Sequence, residues 1–409
     1  MAKSKEVLIF SGHSWHLGGD FKYLADLSLG LVEAGYSLRV WGDHHPNLRQ
    51  KFTEATDGKI PIDILRLGPE IHPDAAPAPG LLGYSKRMLT LEWHRNILSS
   101  LLTFRKLFSS VSKDTIFLSN NGGYPGREAC LWALRVAAQT SLRRSFLVVH
   151  NMANPRPRLR PMGYAYDAWV SRSIAKIIAP SDAVKMSLVK ERNFSPSQIS
   201  TIYCGIKSPP LLSESEVQTW RHRFSLPSGD FLIGVCGHLD EPRKGQEYAL
   251  RAFSRIASSL PKGHLVFVGG AAKNRMEYFR ALVSDLKLAD RVHFLGPQTQ
   301  MHEINSMFDL CLVPSLAMEA TPYTIKEALM AARPVITTDA GGCAEGVRPG
   351  ETGFVVRAGD VAELARTIES AFQNRDGLRK MGALGRQDAE GRFSLNKMIK
   401  DHIQLFEGT

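Results

Sequence analysis

The segment EATPYTIKE, residues 319–327, begins and ends on a glutamate and carries Pro322 between them. Forty acidic residues in a chain of 409 give roughly four such pairs by chance, so its surroundings must decide what the pair means. Proline is favoured at the first helical position because its missing N–H would have no partner there, so Pro322 predicts a helix start. The following amides, including those of Tyr323 and Thr324, then point out of the helix end and, with the helix dipole, form a phosphate site. Glu319 falls just before that end, and Glu327 lies about 7.5 Å along the axis. Carboxylates repel a pyrophosphate but accept hydrogen bonds from hydroxyls, so one suits a ribose and the other a sugar. A second constellation, GHLDEPRKGQEYALRAF at 237–253, follows the apolar run FLIGVC. Gly237 allows a tight strand exit, and Arg243 and Lys244 arrive just before a helix, where two cations suit a diphosphate. Alone, an Arg-Lys pair reads more readily as a solvated basic loop.

The elements that position these residues follow from periodicity. EVLIF, SLRVW, IDILRL, TIFLS, SFLVVH and AKIIAP predict strands in the first half, and FLIGVC, HLVFVGG, RVHFLG, LCLVP and PVITT predict strands in the second. Helices are predicted over 20–34, 126–139, 181–190, 244–259, 274–288, 322–331 and 360–373. Strands alternating with helices imply parallel sheets covered on both faces: an α/β protein of two Rossmann-like, doubly wound domains. Two prolines and several serines in CGIKSPPLLSESE, 204–216, mark the boundary. The expected domains are 1–205, 206–385 and a C-terminal helix, 386–409, packing back on the first. Ligands bind beyond the carboxyl ends of such strands, so two facing domains predict a cleft between them.

Composition excludes some classes. Five cysteines, odd in number and never spaced C-x-x-C, argue for a reducing, cytoplasmic compartment and against a disulfide framework or zinc site. The N-terminus has too short an apolar run for a signal peptide, and no run is long enough to cross a bilayer. A net charge of +11 favours anionic partners without choosing among phosphorylated small molecules, nucleic acid and membrane. No nucleic-acid-binding module is apparent, so nucleic acid is not an expected partner.

The segment EATPYTIKEALMAARPVITTDAGGCAEGVRPGETGFVV, 319–356, resembles the donor-binding region of the retaining glycosyltransferases of family 4, which have the GT-B fold. Glu319 and Glu327 stand at that family's paired glutamates, and Gly341, Gly342 and Glu345 fill its downstream pattern. GHLDEPRKG is similar to its G-R-x-x-x-x-K-G segment, with Lys244 and Gly245 at the lysine and glycine. The resemblance is specific over about 230–356 and thinner before it. There, HSWHLGGDFKYLADLSLGLVEAGYSLRVWG resembles the first strand, glycine loop and helix, with Gly18 and Gly19 able to admit a phosphate. LVVHN makes His150 the counterpart of a histidine near the reacting sugar, and Ser181 is a plausible N-cap.

The resemblance implies transfer of a sugar from a nucleoside-diphosphate donor, a UDP- or GDP-sugar, to an acceptor hydroxyl with retained configuration. It implies no metal and no further cofactor; no Asp-x-Asp motif occurs. Arg243, Lys244, the helix end after Pro322 and Gly18–Gly19 would stabilise the departing diphosphate. Glu319 would bind sugar hydroxyls, Glu327 the ribose, and His150 would lie near the reacting sugar. Two departures stand out. His238 replaces the usual arginine of the diphosphate site and supplies less charge, which Arg243 would have to make good. Cys204-Gly205 replaces the usual Asn-Gly.

For the acceptor, a saccharide, a lipid-linked sugar and a small molecule all stay open. In 85–111 a helical wheel places Arg87, His94, Arg95, Arg105 and Lys106 within an arc of about 120°, with Leu91, Leu98 and Leu102 among them. Such a face suits the inner surface of an anionic membrane, against the plainer reading of a solvated helix. Arg156, Arg158 and Arg160 add a basic loop after His150. Two alternatives remain: a GT-B epimerase or hydrolase acting on the donor alone, and a catalytically weak scaffold, suggested by His238.

Overall fold

The protein's computed structural model describes residues 5–12, 18–43, 47–65, 67, 91–140, 142, 144–155, 162–317 and 319–408, without the side chains of 91–96 and 162–164. Arg87, His94, Arg95, Arg156, Arg158, Arg160 and the segment 72–80 therefore lie outside the described side chains. The chain forms two compact units, Met1–Ile202 with Met398–Thr409, and Tyr203–Lys397. The division thus falls after Ile202, and the first unit takes up the chain again at Met398.

The first unit holds a seven-stranded sheet built from β1 (Glu6–Gly12), β2 (Ser37–Asp43), β3 (Ile62–Leu65), β4 (Ile116–Asn121), β5 (Ser145–Val149), β6 (Lys176–Ala179) and β7 (Ile199–Thr201). Its order is β3-β2-β1-β4-β5-β6-β7, parallel throughout. Val7 to Phe10 are fully buried, as a central strand covered on both faces requires. The helix Leu395–Glu407 packs on this unit from Met398 onward. A Cβ on Gly30 would lie 2.4 Å from the Ile399 side chain, and the Phe146 and Phe406 rings are 5.0 Å apart.

The second unit repeats the plan with β8 (Phe231–Cys236), β9 (Gly263–Val268), β10 (Val292–Phe294), β11 (Leu310–Val313), β12 (Val335–Thr338) and β13 (Gly353–Val356). The order is β10-β9-β8-β11-β12-β13, again parallel. Gly234 sits mid-strand because a Cβ there would come within 2.2 Å of the Phe308 ring. In both sheets the strand order reverses beside the first strand, at β1/β4 and at β8/β11. These are the switch points where open α/β sheets take ligands.

Every strand expected from periodicity is present; β13 falls in the GETGFVV end of the family-like segment, and β7 is additional. The helices Leu48–Ala55, Met162–Ser173, Glu214–Arg223, Met301–Ser306 and Arg375–Phe393 were not expected. The single helix expected over 386–409 is instead broken at Ser394, whose extended backbone (φ −67°, ψ 147°) bridges to Ile206.

Candidate active site

The second unit's switch point is built by glycines that let loops touch. After β8 the chain turns at Gly237 (φ +149°), whose N–H donates to the Val268 carbonyl at 2.8 Å. A Cβ on Gly269 would lie 2.1 Å from the Gly237 oxygen, so the loops after β8 and β9 meet backbone to backbone. The short 3-10 turn Pro242–Lys244 follows and ends on Gly245 (φ +73°). A Cβ on Gly245 would fall 1.9 Å from the Pro314 oxygen, and the Leu316 N–H donates to the Arg243 carbonyl at 2.7 Å. Gly245 thereby fastens the Arg-Lys turn to the loop after β11.

That fastening brings the cations to Glu319. Arg243 Nη1 lies 2.5 Å and Lys244 Nζ 2.6 Å from the same Glu319 Oε1, and the Ser315 hydroxyl donates to that oxygen at 3.4 Å. Arg243 also pairs with Glu241. The Glu319 main chain is held from the far side: Gly342 N–H donates to its carbonyl at 2.9 Å, and a Cβ on Gly341 (φ +56°) would sit 2.2 Å from that oxygen. Glu319 is 7% exposed. The cluster therefore sets two cations against two carboxylates, so its charge is balanced from within. A diphosphate bound by Arg243 and Lys244 would compete with Glu319 for them. A carboxylate released in this way is an acceptor for sugar hydroxyls.

The helix beside it runs from Tyr323 to Met330, one residue later than expected: Pro322 precedes it and is not its first residue. Its N-cap residue, Pro322, makes no side-chain capping bond. Tyr323, Thr324 and Glu327 are half-buried along the helix. His238 is exposed, its ring lies over Gly270, and its carbonyl accepts from Gln246 Nε2 at 2.8 Å. Glu345 accepts from the Tyr203 hydroxyl at 3.0 Å.

Lys326, between the helix's functional residues, went unnoticed in the sequence. It is fully buried, donates to the Cys204 carbonyl at 2.9 Å, and lies 5.2 Å and 5.3 Å from the Tyr323 and Phe393 ring centres. Burial pulls its pKa down from the usual lysine value, while Cys204, Glu327 and Glu345 oppose that. It ties the segment at the unit boundary to the helix carrying Glu327. A lysine among helix formers gives no sequence signal of this, because its partners are remote in the chain.

In the first unit His150 follows β5 and is buried. Asn120 Nδ2 donates to the Ser11 hydroxyl at 2.8 Å, so its Oδ1 accepts from His150 Nε2–H at 2.6 Å. The Tyr23 ring packs edge-on at 4.7 Å. Tyr23 in turn donates to His402 Nε2 at 2.6 Å, because His402 Nδ1–H is committed to the Met398 carbonyl at 2.8 Å. Gly18 and Gly19 are exposed at the start of the helix Gly19–Glu33. Ser181 caps the helix Asp182–Arg192, accepting from the Val184 N–H at 3.2 Å.

Two family descriptions match the chain: Glycosyltransferase Family 4 over residues 17–208 and Glycosyl transferases group 1 over 230–374. A D-inositol 3-phosphate glycosyltransferase of Streptomyces scabiei (strain 87.22) is 25% identical over 408 residues, covering 95% of this chain and 88% of that protein. The putative glycosyltransferase EpsD of Bacillus subtilis (strain 168) is 29% identical over 196 residues, 48% of this chain and 50% of EpsD. The crystal structure of Anabaena HepE in complex with UDP aligns with a TM-score of 0.75 at 20% identity, over 98% of this chain and 100% of that one. A glycosyltransferase structure from Rickettsia africae aligns at 0.81 and 17% identity, over 99% and 98%. At these identities the structural likeness speaks for the fold, and it spans both units.

Proposed function

The chain belongs to the group 1, family 4 glycosyltransferases and has the GT-B fold, and from that premise we propose that it is a retaining, metal-independent enzyme. Its donor is a UDP- or GDP-sugar and its acceptor a hydroxyl on a saccharide, lipid-linked or small-molecule partner in cell-surface polysaccharide or glycolipid synthesis. The observation that carries this reading is the Arg243–Lys244–Glu319 cluster at the end of β8 and β11. The diphosphate takes the two cations and the uncapped helix end at Tyr323–Thr324, which are arranged before it arrives. Glu319, released from the cations, accepts from sugar hydroxyls, and Glu327 takes the ribose. In the first unit Gly18–Gly19 would offer backbone to a phosphate, and His150, held by Asn120 and Tyr23, is the residue that the family likeness assigns to sugar contact. The leaving phosphate guides front-face attack, with no covalent intermediate assigned. Structures of HepE with UDP and with UDP-glucose make UDP the first base to try.

The test is thermal stability against nucleoside diphosphates and their sugars, beside Glu327→Ala. Ligand at a hundred times its Kd adds about 2.7 kcal/mol. A shift of several degrees with one base, lost in the variant, supports the reading. One observation favours a second reading, a scaffold of weak activity: an exposed His238 stands where the family-like segment usually has an arginine. Donor binding without turnover, with or without acceptor, would favour that scaffold. Turnover without any acceptor would instead indicate a hydrolase or epimerase.

We further propose peripheral attachment to the cytoplasmic face of an anionic membrane through the helix Leu91–Phe108. Its Leu98 and Leu102 are 57% and 55% exposed beside exposed Arg105 and Lys106. Among the described residues, no helix is long and apolar enough to cross a membrane.

A further inference from the structure

At the opposite edge of the second sheet, where β8, β11 and β12 begin, lies a cavity of about 600 Å³. The helices Glu214–Arg223 and Arg375–Phe393 close its sides. Its size is that of an ordinary small-molecule pocket. Four arginines line it against three carboxylates, and the arginines are not equally engaged. Arg221 is committed to the Met307 carbonyl at 2.6 Å and to Asp309 at 3.0 Å. Arg375 lies over the Phe231 and Phe372 rings at 5.2 Å and 5.0 Å.

Arg333 differs. It follows Ala332, a non-glycine residue at φ +56° in the turn after the helix Tyr323–Met330. That conformation costs an alanine about 1 kcal/mol. Arg333 Nε is buried with no hydrogen-bond partner among the described residues. That nitrogen is closed to solvent, but the residue is only half-buried and lines the cavity, where the rest of its guanidinium keeps its charge and donors for a ligand. Burial pulls its pKa below the usual arginine value, the sign of a cation short of solvent.

We propose that this cavity is a second binding site for a small phosphate monoester bearing hydroxyls, a sugar phosphate. Its phosphoryl group meets Arg333 and Arg379, the latter drawn from its exposed pair with Asp376 at 3.5 Å, and its hydroxyls donate to Glu214 and Asp309, which also line the cavity. The carboxylates select for hydroxyls, since they would repel an anion that had none to offer. The site is separate from the donor cluster: the helix Tyr323–Met330 stands between them, about 12 Å long. The inference therefore does not depend on the donor assignment.

Calorimetric titration of the full chain with glucose 6-phosphate tests it, with glucose and inorganic phosphate as companion ligands. Wild type and Lys244→Ala are expected to bind glucose 6-phosphate alike and saturably. Arg333→Gln should weaken binding about tenfold, the cost of one charge-assisted hydrogen-bonding partner. Arg379→Glu, on the exposed side, should weaken it as well. Glucose alone should not bind, and inorganic phosphate should bind less tightly. No saturable heat from wild type up to about 10 mM would overturn the proposal, as would an unchanged Kd in both arginine variants. Equal affinity for inorganic phosphate would overturn the hydroxyl contacts. Loss of binding in Lys244→Ala, which removes a phosphate-binding cation of the donor cluster, would assign the heat to that cluster and overturn the second site. If Arg333→Gln does not fold, Arg379→Glu decides alone.

Discussion

Glu319 neutralises the two cations that the proposed function gives to a diphosphate. Both share its Oε1, at 2.5 Å and 2.6 Å, so on that reading nucleotide binding would exchange one anion for another. Glu319→Gln keeps the side chain's shape and a carbonyl acceptor but removes the competing charge. We expect nucleoside-diphosphate affinity to hold or rise while kcat falls by about a hundredfold, the scale of one lost transition-state contact. Steady-state kinetics beside nucleotide calorimetry checks this, and a parallel fall in both would refute the exchange. His402 gives a separate prediction. Burial lowers its pKa to about 4, against the opposing pull of the Met398 carbonyl and Asp401. A base with a lowered folded-state pKa stabilises the fold above its unfolded value, near 6.5, and that contribution is lost as pH falls through about 4. The span corresponds to roughly 3 kcal/mol at most. Urea unfolding of wild type and His402→Gln at pH 7 and pH 4 should show wild type losing more stability on acidification than the variant.

Two glycines decide whether the elements meet. Gly245 and Gly341 both have positive φ, and at both an added Cβ would strike a backbone oxygen, that of Pro314 and that of Glu319. Neither clash can be relieved by a side chain swinging away. Gly341→Ala should therefore displace Glu319: we expect kcat to drop by at least about tenfold, a misplacement effect, while far-ultraviolet circular dichroism stays native. Full activity in this variant would remove the glycine pair from the site's architecture. These glycines were legible in the sequence as a pattern, but the reason for them, contact between loops remote in the chain, was not. The strands were legible because doubly buried parallel strands are continuous apolar runs. β7 escaped because Ile199–Thr201 is three residues long, too short to show a period. The helix Glu214–Arg223 escaped because it buries only Val217 and Arg221, which leaves no apolar stripe. The break at Ser394 escaped because it answers to Ile206, far away in sequence. Lys326 escaped for the same reason: charge and helix propensity describe a solvated residue, and only the fold reveals the Cys204 carbonyl it serves.

At the scale of the whole molecule, the net charge of +11 must be reconciled with a donor cluster whose own charges cancel. The surplus therefore lies elsewhere on the surface, where it acts on large anionic partners more than on the nucleotide. On the proposed membrane attachment, the helix Leu91–Phe108 would supply the face for such a partner. Ser100, Phe104 and Phe108 are buried, so the opposite side is turned outward. At 100° per residue Leu98, Leu102, Arg105 and Lys106 fall within an arc of about 100° on that side. A solvated helix has no use for two leucines more than half exposed there, whereas an interfacial helix inserts them between headgroups that its cations hold. Each basic residue near an anionic surface contributes about 1 kcal/mol, a contribution that salt screens. The protein should therefore sediment with phosphatidylglycerol vesicles at low salt, release at about 0.5 M salt, and ignore phosphatidylcholine vesicles. Leu98→Glu with Leu102→Glu should abolish sedimentation and shift unfolding by less than about 1 kcal/mol, since both side chains already face water. Binding that survives this double change would place the membrane contact on another surface. Binding that survives high salt but not the double change would make the leucines, and not the charge, its main source.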